Sequence, residues 1–242
     1  MDPITAIAAS GMRARMESLD MLANNIANSS TGGYKADREF YSLYTAPEAE
    51  EAGESSVMPL IEMPWTDLSQ GALQVTGNSL DVALSGHGFF AVNGPSGPLY
   101  TRNGSFTTSP SGEIVAAGGY PVRGAGGAAL TVDPSLPLKV SKDGTVTQDA
   151  AVVGQMEIAD FADAGALAKQ GSNYFAASPA ALRVAASADV EQGKLESSNT
   201  SAAEGAGRLI SIMRQFEMLQ KAASLASAMD QKAVEEVAKV GS

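Results

Sequence analysis

Ser85 and His87 are the pair in this chain best suited to nucleophilic chemistry: two residues apart, they would share a face of a strand. Such a pair also needs an orienting carboxylate and an oxyanion hole, and no Gly-x-Ser-x-Gly elbow surrounds Ser85. Glycines on both sides of His87 indicate a turn instead. Asp143 with Asp149, and Asp160 with Asp163, are the acidic pairs on which acid–base catalysis or calcium binding would draw. The spacing of an EF-hand is absent, and turn and surface roles suit these residues better. Gly124, Gly126 and Gly127 resemble a phosphate loop in composition only, because no helix or Lys-Ser/Thr follows them. There are no cysteines and a single histidine, which excludes disulfides and cysteine metal sites. The sequence therefore assigns no catalytic, cofactor-binding or metal residue, and the chain reads as something other than an enzyme.

Charge narrows the partners. Twenty-seven acids against 16 bases give a formal net charge of -11. Nucleic acid needs a basic footprint, and an anionic membrane surface attracts basic segments, so neither is an expected partner. No apolar run approaches the roughly 18 residues of a membrane span, so direct membrane insertion is not expected. The opening residues, Met1 to Ile7, lack a basic stretch and an unbroken apolar core, so they do not read as a secretory signal.

The elements that would hold any site fall into three textures. Asp2 caps and Pro3 starts a helix whose apolar residues recur at Ile4, Ile7, Ala8, Met12, Met16, Leu19, Leu22, Ala23 and Ile26. It should fail near Asn28 and span about 40 Å at 1.5 Å per residue. From Tyr44 to Pro64, four glutamates (Glu48, Glu50, Glu51, Glu54), Gly53 and three prolines (Pro47, Pro59, Pro64) suggest a solvated loop. Between Thr66 and Val190, short alternating runs at Leu80–Leu84, Leu136–Val140 and Met156–Ile158 are separated by glycine turns. No long helical pattern interrupts them, so a compact antiparallel β domain is expected. Ser201 to Glu204 forms a capping box opening a second, longer helix, with Leu209, Met213, Phe216, Ala223, Met229, Ala233 and Val237 as its stripe.

The predicted fold is a mainly β central domain flanked by long N- and C-terminal α-helices that pair as a coiled coil. The expected division is residues 1–35 plus 196–242 as a helical assembly domain, 36–75 as an extended linker and loop, and 76–195 as the β domain.

Several phrases carry a family resemblance. Leu22-Ala23-Asn24-Asn25-Ile26-Ala27-Asn28 with Gly33-Tyr34-Lys35 resembles the signature of flagellar rod, hook and hook-associated proteins. Ser69 to Leu73, Thr76 to Leu84, Gly86 to Val92, Tyr100 to Phe106, Gly119 to Val122 and Leu195 to Asn199 follow in the order of the rod and hook subset. Arg214 to Met218 and the modest length are most similar to proximal members of the rod, with the distal rod and the hook type as alternatives. Ser29-Ser30 and Thr200-Ser201 depart from the usual family residues.

The resemblance implies a structural subunit of the basal-body rod, exported through the flagellar type III apparatus without a cleaved signal and built into the periplasmic shaft that transmits torque. Its partners would be copies of itself and other rod proteins. The assembly interface would comprise Ile4, Ile7, Met12, Leu19, Leu22, Asn24, Asn25, Ile26 and Asn28 with Leu209, Met213, Phe216, Met229 and Val237. Asn24, Asn25 and Asn28 suit caps and inter-subunit hydrogen bonds, or simply a helix stop. A reading from a different class is a secreted β-domain binder or hydrolase whose helices only brace the fold; it expects a deep pocket with clustered carboxylates or aromatics.

Overall fold

The computed structural model describes residues 3–39, 41–45, 57–61, 64–171 and 173–240, without the side chains of 3–7, 41–45, 57–61, 164, 230, 233–238 and 240. The chain divides into two units. One is built from Met1–Ala27, Asp37–Asp67 and Ser201–Ser242, the other from Asn28–Ala36 and Leu68–Thr200.

The first unit is organised by two helices, α1 (Pro3–Ala27) and α2 (Ala202–Val240). They pack antiparallel, because Gly205 at the start of α2 faces Ile26 and Leu22 near the end of α1, while Gly11 faces Leu219. That register leaves roughly the last dozen residues of α2 beyond the start of α1, about 20 Å of helix. The buried positions of α1 are Ala8, Gly11, Ala14, Ser18, Leu22 and Asn25. Small side chains dominate this seam, and the larger expected stripe is turned aside: Met12 and Leu19 are half-buried, and Met16 is exposed.

A Cβ on Gly205 would lie 2.6 Å from Ile26 Cγ1, and one on Gly11 would lie 3.2 Å from Leu219 Cδ1. Leu219 and Ile26 thus pack onto glycines of the opposite helix, which turns the helices away from the face that hydropathy alone selects. On α2 the inward row is Gly205, Leu209, Ile212, Phe216, Leu219, Ala223 and Ala226, alternating steps of four and three.

The stretch expected as an open loop is partly ordered. Tyr41–Thr45 pairs antiparallel with Val57–Ile61, from Tyr41 opposite Ile61 to Thr45 opposite Val57. Aromatic and β-branched residues at both ends of the stretch favour strand, a signal masked by the acidic composition between them. Glu48, Glu50, Glu51, Glu54, Gly53 and Pro47 lie outside the described residues.

The second unit holds a six-stranded antiparallel sheet ordered Leu167–Gln170, Tyr174–Ala177, Gly97–Thr101, Phe89–Gly94, Ile158–Phe161, Arg183–Val184. Alternation hides no solvent face here, because Phe89 through Val92 are all buried. Phe90 and Val92 join a core with Leu84, Phe106, Ile114 and Val146, while Phe89 and Ala91 join Tyr100 and Phe175 in a second.

Pro98 limits the sheet. Ala91 N donates to Glu157 and Asn93 N to Pro121, so their cross-strand partners Tyr100 and Pro98 must face the Tyr174–Ala177 strand. Proline has no N–H to donate, and the two strands accordingly register at one pair, Phe175 with Tyr100, before parting.

The glycines of α2 give a direct test of the helix seam. Among the described residues, nothing beyond its own helix turn lies within 4 Å of the place a Cβ would take on Gly207. Gly207→Ala should therefore raise stability by about 1 kcal/mol through helix propensity alone. Gly205→Ala should lose that gain to its clash with Ile26. Equal stabilisation by both variants in thermal unfolding would contradict the close approach.

Candidate functional site

Two features of this molecule gather the residues that the sequence singles out: the faces of the helix pair, and a buried ion cluster in the β unit.

On the helices, the structure divides the expected interface. Leu22 is buried, Ile26 sits half-buried against Gly205, and Leu209 and Phe216 are half-buried. Asn25 is buried within the unit: its amide donates to Asp37 O at 2.8 Å and accepts from Asp37 N at 3.0 Å. Asn28 closes a turn, its carbonyl accepting from Thr31 N at 3.0 Å. Asn24 lies on the exposed side of α1. The side chains of Ile4, Ile7 and Val237 lie outside the described residues.

Met213 and Met229 are 50% and 64% exposed. With Met229 go two residues the sequence reading passed over, Met218 at 61% and Leu225 at 66%. Met218, Ala222, Leu225 and Met229 step by four, three and four, forming a second apolar row on α2 away from α1. Ile212, Leu219 and Ala226, which complete the inner row, were also missed. The available signal was the repeat of seven, which separates two rows where a single broad stripe is first seen.

The ion cluster is built from the family phrases themselves. Lys35 and Glu196 have no exposed side-chain surface, and Lys35 Nζ lies 2.6 Å from Glu196 Oε1. The same oxygen accepts from Gly71 N at 2.9 Å, and Lys35 Nζ also donates to Ser69 O at 2.6 Å. Arg102 Nη1 reaches Glu196 Oε2 at 3.3 Å, while its Nη2 donates to Gly86 O at 2.7 Å. The Arg102 guanidinium lies over the Phe89 ring at 5.3 Å. Burial lowers its pKa, and the Glu196 carboxylate and the more distant Asp160 oppose that shift.

The backbone is drawn in as tightly. Gly33 N donates to Glu196 O at 2.7 Å, and Gly33 has a φ of +67° with its Cβ position 2.4 Å from Arg102 backbone. A Cβ on Gly71 would fall 2.0 Å from Ser197 O. Only glycine allows these approaches. Asn199 accepts from Ala36 N at 2.8 Å and donates to Ser69 O and Oγ at 3.3 Å each. Lys169 donates to Lys35 O at 2.8 Å and stands 4.3 Å over the Tyr34 ring.

The residues weighed for catalysis are not brought together. Ser85 ends a strand opposite Asp189, and His87 is exposed in the turn that follows. Asp143 accepts from Thr145 N and Oγ1, which lowers its pKa and closes a turn. No group of three or more metal-ligating side chains occurs among the described residues. A cleft of about 310 Å³ opens where Pro98 ends the ladder, lined by Leu99, Tyr100, Phe161, Ala177 and Arg183. It has aromatic walls but no carboxylate pair. Arg183 is held there by Tyr100 Oη at 2.6 Å and Glu157 at 2.8 Å.

Comparison with known proteins identifies the phrases. Three family profiles match: flagella basal body rod protein over residues 6–35, flagellar hook protein FlgE/F/G D1 domain over 83–148, and flagellar basal body rod FlgEFG protein C-terminal over 191–236. Lys35, Arg102 and Glu196 fall one in each matched segment. The chain is 34% identical over 244 residues to the flagellar basal-body rod protein FlgF of Caulobacter vibrioides, covering 99% of this chain and 100% of that one. It is 33% identical over 252 residues to FlgG of Agrobacterium fabrum, covering 93% and 95%. The hook protein FlgE of Brucella abortus is 40% identical over 119 residues, 48% of this chain and 30% of its own.

Removing Lys35 takes one of two cations from the buried Glu196, which keeps Arg102 and the Gly71 amide. Lys35→Met should therefore cost about 3 kcal/mol in chemical denaturation, the low end for a broken buried pair. Lys35→Met with Glu196→Gln should cost less than the sum of the single changes; strict additivity would show the two groups to be uncoupled. Deleting residues 1–30 should leave the β unit folded, whereas deleting 1–36 should unfold it, as read by circular dichroism.

Proposed function

Since this chain belongs to the flagellar basal-body rod protein family, we propose that it polymerises through its terminal helices and transmits torque along the rod. The observation that carries this reading is the outer row of α2: Met218, Leu225 and Met229 are each more than 60% exposed. Burying side chains of that size contributes about 1.5–3 kcal/mol each, a strong drive toward an apolar partner. The inner row, with its repeat of seven, supports reading α1 and α2 as a coiled coil. The pair then acts as one stiff element with a second face for neighbours. Copies of this chain and other rod proteins are the partners this predicts, with Leu22, Ile26, Leu209 and Phe216 holding the pair and Met213 and Met229 meeting neighbours. A structural role without turnover follows from the same premise.

The proposal places the subunit in the periplasmic part of the basal body, delivered by the flagellar type III export apparatus. Among the described residues no helix is long and apolar enough to cross a membrane. That agrees with a subunit held in place by its neighbours.

Complementation of a strain lacking this protein tests the reading. Met218→Glu and Leu225→Glu should leave the purified subunit as stable as the parent yet abolish motility, with basal bodies whose rods stop short in electron micrographs. Deleting 1–30 or 200–242 should leave the β unit folded and likewise abolish motility. Retained motility after either deletion would reject polymerisation through the helices.

A further inference from the structure

The chain passes between its two units at four places, after Ala27, Ala36, Asp67 and Thr200. Three of these lie within two residues of groups bound by one side chain. Asn199, just before the last passage, accepts from Ala36 N at 2.8 Å, at the second passage. It donates to Ser69 O and Oγ at 3.3 Å, just after the third. Directly beneath, Lys35 Nζ bridges Ser69 O and Glu196 Oε1, both at 2.6 Å. Gly33 N to Glu196 O at 2.7 Å and Asn199 N to Tyr34 O at 3.3 Å fasten the segment that follows the first passage.

We infer that Asn199, backed by the Lys35–Glu196 pair, is a mechanical stitch that makes the chain segments leaving the β unit share load. Its purpose rests on the torque-transmitting reading; its mechanics do not. A single chain leaving a sheet edge under tension is peeled one hydrogen bond at a time. Segments cross-bonded at their roots must break together, so the same bonds resist more force. The buried charges supply the stiffness of this root, because Lys35 and Glu196 have no exposed side-chain surface and parting them separates opposite charges away from solvent. Asn199 supplies its reach, with one amide bound to two other segments.

The stitch predicts an effect that depends on the direction of pull, which a general loss of stability does not. The chain has no cysteine, so a pair of introduced cysteines gives unique handles. With S96C and A203C, the pull runs through the root of α2; with S96C and V152C, both handles lie in the β unit and the root is bypassed. In single-molecule force spectroscopy of the full chain, opening through the first pair should be one event. Adding Asn199→Ala should split it into two, the first at lower force, as the last residues of the β unit peel ahead of the rest. Through the second pair, Asn199→Ala should leave the trace unchanged.

A single event at the parental force through the first pair would overturn the inference. So would an equal fall in force through both pairs, which would mark Asn199 as an ordinary stabilising contact. Asn199→Asp keeps the acceptor for Ala36 and loses the donor to Ser69, and should fall between the two. None of these traces depends on the rod reading. Failure of that reading would be seen separately, as normal motility after deleting the helices.

Discussion

A carboxylate with no access to water constrains the β unit more than any other group in it. Glu196 is satisfied by Lys35, Arg102 and the amide of Gly71, donors that lie 161, 94 and 125 residues away along the chain. A buried charge left without partners would be far costlier than a missing apolar contact, so the segments that bring these donors must arrive together. That requirement explains why the nine residues from Asn28 to Ala36 belong to the β unit although helical-unit chain lies on both sides of them. It also explains the two glycines pressed against backbone at Gly33 and Gly71, since a side chain at either would hold the carboxylate's partners away.

The helical unit is organised on a different principle. Its seam sets small residues, Ala8, Gly11, Ser18 and Gly205 among them, against larger ones, with Leu219 packed on Gly11 and Ile26 on Gly205. Met16 on α1 and Met218, Leu225 and Met229 on α2 lie off this seam and are exposed. The pair is closed on one side and carries exposed apolar side chains on another. The β unit, by contrast, covers both faces of its sheet with its own side chains.

The matched family segments acquire a physical meaning from this arrangement. They cover the beginning, middle and end of the chain, and each delivers one charged member of the buried cluster. The phrases around Lys35, Arg102 and Glu196 meet in space through the buried cluster.

By itself the sequence determined the elements whose causes are local. Pro3 and the run to Ala27 fixed α1, Ser201 and Glu204 marked the start of α2, and paired glycines at Gly86 and Gly88 placed a turn, with positive φ at both. Family membership was legible for the same reason, as an ordered set of short phrases. The tertiary structure alone decided which face of each helix is buried, because that depends on the side chains that Gly11 and Gly205 admit from the opposite helix. It alone decided the strand order, the break at Pro98, and the burial of both faces at Phe89–Val92. The meeting of Lys35 with Glu196 was likewise beyond reach of spacing, since a pair 161 residues apart leaves no period to read, and only the folded chain brings its two charges within 2.6 Å.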